Sequence, residues 1–126
     1  IHNGLMLGAF FALFGSHDLG AELAGWLLIH GTTEFFAIAL AGAAGFRIGW
    51  AVLFPGPTTR LASATVAGRT AATAMAGVVL MLLVAGFLEG VGRQTITTDA
   101  LRYAIGIGAL FLWLVYFYVL RRVRHG

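Results

Sequence analysis

Three side chains that can bind a metal or move a proton fall at the edges of the apolar runs. His30 and Glu34 stand four residues apart at the head of the run Phe35 to Phe54, and Glu89 closes a later one; His17 and Glu22 precede them. Imidazole and carboxylate both ligate zinc, and a catalytic zinc takes three protein ligands plus a water. The zinc-protease pattern needs two histidines four apart with a glutamate beside the first, and it is absent. Capping and hydrogen bonding are therefore the favoured reading of His30 and Glu34. Glu89 reads as a helix-end acid with Arg93 four residues on, a spacing that sets both on one face. Ser16-His17-Asp18 holds the residue types of a hydrolytic triad, but three consecutive residues do not supply its geometry, and a polar turn is expected. Gly106-Ile107-Gly108 lies in an apolar run with no strand before it, which excludes a dinucleotide site, and no phosphate loop is present.

The elements that position these groups follow from the hydropathy. The chain of 126 residues is 60% hydrophobic and 10% charged, with mean hydropathy +0.91, against about 25% charged residues in a soluble domain. It reads as all-α, a polytopic helical membrane bundle of about three full spans. Leu5 to Gly15 is too short to cross and reads as a truncated N-terminal helix. The chain, a single transmembrane helical domain over residues 1–126, then reads as the C-terminal fragment of a longer one. Leu19 to Ile29 is also short of the roughly 20 residues a span needs, so a short interfacial or re-entrant helix is expected there. Thr32 or Thr33 would cap the long helix that follows, with Glu34 in its first turn favoured by the helix dipole. Pro55-Gly56-Pro57 ends that helix, and a polar connection runs from Arg60 to Arg69. A second span covers Thr70 to Leu88, Gly90 to Thr95 is a turn, and Thr98 or Asp99 caps a last span, Ala100 to Leu120.

Small residues recur at helical spacing. Gly4 and Gly8 precede Ala12 and Gly15, and Ala37, Ala41, Gly45 and Gly49 follow one another at i+4, a pattern that lets helix backbones approach closely in lipid. It predicts a groove with Glu34 at its top. Bulky Phe36, Leu40 and Trp50 project elsewhere. Arg47 either reaches for the surface or pairs across the bundle.

Charge excludes one partner class and orients the chain. The formal charge is +3 with pI near 10.2, all eight basic residues being arginine. These are dispersed between helices, so a nucleic-acid partner is not expected. Only Arg121, Arg122 and Arg124 cluster, after Trp113, Tyr116 and Tyr118, as an aromatic belt beside basic anchors would. Arginines in the Pro55 to Arg69 loop and in the tail place both on the cytoplasmic side. Without cysteine there are neither disulfides nor thiolate metal sites.

The stretch His30-Gly31-x-x-Glu34, then Ala37-Ile38 and Ala41-Gly42-Ala43-Ala44-Gly45, closely resembles the stage II sporulation protein M family of integral membrane proteins. Asn3-Gly4 with Gly8, a proline and Arg60 in the next loop, and Ala85 to Gly90 with Glu89 also fit. The family's usual N-terminal portion is missing. The resemblance implies a helical membrane protein without established catalytic residues, and singles out His30, Gly31, Glu34, Gly45, Arg60 and Glu89. It also implies a link to a membrane-anchored machine whose partners degrade peptidoglycan during engulfment, although relatives occur widely in organisms that make no spores.

The expected function is a multi-pass scaffold in the cell membrane, its C-terminus cytoplasmic. It would position membrane or envelope proteins, peptidoglycan hydrolases among them, and form homo-oligomers through its small-residue faces. No catalysis, cofactor or metal is expected. The alternatives are a small-solute or ion transporter with Glu34 and Arg47 lining a path, and an intramembrane metal-dependent hydrolase using His30, Glu34 and Glu89.

Overall fold

Proline and a cap make the sharpest boundary in the chain. In the computed structural model, which describes residues 2–120 (of Arg93 and Leu120 the backbone alone), Pro55 and Pro57 interrupt two long helices. Gly56 takes a left-handed φ of 62°, which glycine adopts without a side-chain penalty. The Thr58 hydroxyl donates to the Pro55 carbonyl at 2.9 Å, and the Thr59 Oγ1 accepts the Ala62 N–H at 3.2 Å, capping the next helix. The order is α1 (His2–Gly15), α2 (Gly20–Leu53), α3 (Arg60–Phe87), a π-helical turn (Leu88–Gly92), α4 (Arg93–Thr95), α5 (Asp99–Leu114) and a π-helical end (Val115–Leu120). No strand occurs among the described residues, as the all-α reading requires.

Three boundaries differ from the sequence expectation. Leu19 to Ile29 is not a separate short helix, because α2 runs unbroken for 34 residues through His30-Gly31-Thr32-Thr33. Neither threonine caps a helix there. Gly31 weakens a helix interior by about 1 kcal/mol relative to alanine, too little to end it when no proline follows and the apolar surroundings demand that every backbone group be bonded. The Arg60 to Arg69 segment is helical rather than a loop. Its alanines favour helix, and the Thr65 hydroxyl donates to the Leu61 carbonyl within the same helix at 2.8 Å. The Gly90 to Thr95 turn is helical too, and only Ile96 to Thr98 leaves the helix. Thr98 occupies the cap position of α5 without a side-chain bond; Asp99 instead pairs with Arg102 at 3.2 Å.

The chain packs as two units: the part up to Thr32 together with that from Phe87 on, and the part from Thr33 to Gly86. The second unit is a helical hairpin with a core rich in alanine. Ala37 and Ala44 are buried on α2, and Ala67, Ala71, Val78, Met81 and Ala85 on α3. These recur every three, four or seven residues, the seam spacing of closely packed helices. In the first unit α5 lies along the start of α2. The Tyr103 hydroxyl donates to the Ala21 carbonyl at 2.8 Å, and its ring covers Gly25. Three residues on, Gly106 meets Leu28 so closely that a Cβ there would stand 2.5 Å from the Leu28 carbonyl oxygen. The paired positions rise together, so the two helices run in the same direction.

Apolar surface dominates the exterior, with Phe46 83% and Leu61 79% exposed. Three helices are long and apolar enough to cross a bilayer: Gly20–Leu53, Arg60–Gly92 and Asp99–Val119. At 1.5 Å per residue the first two reach about 50 Å, beyond the roughly 30 Å hydrocarbon core. That excess leaves the arginine-bearing turns of α3 room to stand outside it.

Candidate functional site

His30 sits inside the first unit rather than at a helix start. It is 5% exposed, and its ring meets Trp26 edge-on, one turn earlier, at a centroid distance of 5.5 Å. Its neighbours Leu28 and Thr32 both reach Gly106, the latter through a hydroxyl 3.4 Å from the Gly106 carbonyl. Gly106 lies seven residues into the α5 run, so His30 stands about 10 Å along that helix from Asp99. The sequence pattern sets it instead at the head of an apolar run. Buried polar groups almost always have a hydrogen-bond partner, yet the His30 Nδ1 is buried with none among the described residues.

Glu89 reaches His30 by way of the π-turn. Gly92, which ends that turn, is buried against Ile29 and Ile96, with room for no more than an ordinary contact to the Ile29 Cδ1. This contact holds the π-turn beside the residue preceding His30. A ring nitrogen of His30 and a carboxylate oxygen of Glu89 come within 4.8 Å. The π-turns found within α-helices concentrate at functional sites, because the wider turn re-aims the side chains it carries. Glu34 is the next turn of α2 after His30, and its carboxylate oxygen lies within the same distance of the ring. Glu34 is half-buried and Glu89 lies nearer the surface. Two carboxylates about one imidazole form a donor set for a dication.

The other sequence candidates lie elsewhere. Gly31 is half-buried on α2 beside this group, and a Cβ there would meet nothing within 4 Å. Arg60 opens α3 and is exposed, at the other end of that helix from the π-turn. Arg47 is exposed and lines a cavity with Trp50, Phe54, Thr58 and Ser63. His17 and Glu22 are exposed. Ser16, His17 and Asp18 form a turn in which the Ser16 hydroxyl donates to the Leu13 carbonyl at 2.7 Å and Asp18 takes a φ of 58°. Of the small residues, Ala37 is buried and Ala41 half-buried, while Gly4, Gly8, Gly45 and Gly49 are exposed with nothing within 4 Å of a Cβ. Each i+4 step turns a helix position 40° further round, so the row from Ala37 to Gly49 winds off the buried face. The Glu89 pairing with Arg93 and the basic cluster Arg121 to Arg124 lie outside the described side chains.

The π-turn is what sequence reasoning missed. Gly90 and Gly92 were its one trace, and they read as part of a turn.

Three long apolar helices, with no strand among the described residues, make a helical membrane protein. Residues 1–92 match the stage II sporulation protein M family, and the chain belongs to that family. The match ends on Gly92, the last residue of the π-turn, so it takes in His30, Glu34 and Glu89 and leaves out α5. Comparison with curated proteins and with solved structures gave no match.

Proposed function

We propose that this protein is an assembly scaffold in the cell membrane that holds membrane or envelope proteins in place, peptidoglycan hydrolases among them. The observation that carries this reading is the placement of Gly4, Gly8, Gly45 and Gly49. Each is exposed, and among the described residues a Cβ on each would meet nothing within 4 Å beyond its own helix backbone. Small residues at helical spacing allow close backbone approach between helices in lipid, where packing drives association. Their faces are left to another chain, either a partner or a second copy. Family membership supports the same reading, as does the arginine distribution, which favours a cytoplasmic Pro55–Thr59 loop and C-terminus.

The openness of these faces makes the test clean. Gly45→Leu and Gly49→Leu add bulk where the chain itself has space, so the fold is expected to survive. Cross-linked pull-down from native membranes, with mass spectrometry, should recover an envelope protein or a second copy with the parent chain. Recovery should fall at least tenfold with either variant while membrane levels stay equal. Equal recovery with parent and variants would sink the scaffold reading of these faces.

A further inference from the structure

We infer that His30, Glu34 and Glu89 form a binding site for a single divalent transition-metal ion of the zinc class. The inference does not rest on the scaffold reading and extends beyond it. Two observations carry it independently. The first is proximity: one nitrogen of His30 lies within 4.8 Å of an oxygen from each glutamate. The second is the state of the histidine, which is 5% exposed with a buried Nδ1 that has no hydrogen-bond partner among the described residues. Of the competing reading, capping and hydrogen bonding at His30 and Glu34, the cap is removed by the unbroken course of α2.

The chemistry of the donors selects the ion. One imidazole and two carboxylates suit zinc or manganese, whereas calcium and magnesium prefer oxygen alone. Tetrahedral zinc has Zn–N and Zn–O distances of about 2.0–2.1 Å, so its ligand atoms stand about 3.4 Å apart. Rotation of the two long glutamate side chains, neither of them fully buried, closes the present spacing to that value. A dication also neutralises two carboxylates on apolar helices, where unpaired charge is costly. The π-turn supplies the third ligand from a separate stretch of chain, as a site closed by folding requires. Three protein ligands leave a fourth position for water or for a group brought by another molecule.

The test uses the full chain purified in detergent, stripped with chelator and dialysed against Zn2+ alone. Metal analysis and calorimetric titration should give one zinc per chain, with affinity falling at least tenfold in Glu89→Gln and in Glu34→Gln. His30→Ala should abolish binding. Co2+ serves as a spectroscopic probe, and the intense visible bands of four-coordinate Co2+ should appear with the parent and vanish with His30→Ala. Helix content by circular dichroism checks folding, and the isosteric glutamine variants keep the test meaningful if His30→Ala does not fold. Glu22→Gln, an exposed acid outside the group, should bind as the parent does. No zinc on the folded parent, or equal binding by the parent and both glutamine variants, would overturn the inference.

Discussion

Gly106 is the residue on which the packing of α5 against α2 depends. A Cβ there would stand 2.5 Å from the Leu28 carbonyl oxygen, 2.8 Å from its carbonyl carbon and 2.9 Å from its Cβ. Two of these are backbone atoms that cannot swing away. Gly106→Ala should therefore destabilise the protein by about 1–3 kcal/mol, the usual range for overpacking. Gly108→Ala, two residues on in the same helix, meets nothing within 4 Å and should be neutral or stabilising by up to about 1 kcal/mol, since alanine favours helix over glycine. Thermal unfolding of both variants in one detergent checks the contrast, and equal effects would contradict the close crossing. The two glycines were indistinguishable in the sequence, where Gly106-Ile107-Gly108 could only be denied a cofactor role. Hydropathy reports that a residue is apolar and small, not which neighbour it meets. His30, Glu34 and Glu89 were all legible as candidates, the first two as a pair because one helix carries both; that Glu89 comes close to His30 needed coordinates.

Helix α2 shows where local signals mislead at the scale of the element. Gly31-Thr32-Thr33-Glu34 has the composition of a helix start, with a flexible residue, two capping residues and an acid suited to the first turn. In water such a sequence can end one helix and begin another. Against apolar surroundings a break strands up to four N–H and four C=O groups without water to receive them. The backbone therefore stays helical, and the Thr32 hydroxyl turns to the Gly106 carbonyl. Amide exchange distinguishes the two arrangements. With α2 continuous from Gly20 to Leu53, the amides of Gly31 to Phe36 should exchange as slowly as those of Leu27 and Leu28, and far more slowly than Thr97 and Thr98 beyond α4. Fast exchange confined to Thr33 to Phe36 would restore a helix start at the threonines. The Pro55–Thr59 boundary was legible for the opposite reason, since proline lacks the donor and its φ is fixed in any solvent.

For the whole molecule, three helices long and apolar enough to cross a bilayer imply an alternation of sides. The turn at Ser16 to Asp18 precedes α2, the Pro55–Thr59 loop separates α2 from α3, and Ile96 to Thr98 separates the π-turn and α4 from α5. If Gly20–Leu53 and Arg60–Gly92 each cross once, the first and third connections share a side and the second faces the other. Arg47, Arg60 and Arg69 lie on either side of the second connection; Arg93 and Arg102 stand about the third beside Asp99, and the first holds Asp18 with no arginine near it. Arginine excess marks the cytoplasmic side, so Pro57 should face the cytoplasm, and Ser16 and Thr97 the outside. The absence of cysteine makes this directly measurable, because each substitution introduces the sole thiol in the chain. In intact cells a membrane-impermeant maleimide should label Ser16→Cys and Thr97→Cys, and should label Pro57→Cys only after permeabilisation. The reverse pattern would keep the spans and invert the orientation. Labelling of Pro57→Cys and Thr97→Cys from one side would mean that Arg60–Gly92 does not cross, despite a length of about 50 Å, and that its apolar surface is covered by protein instead of lipid.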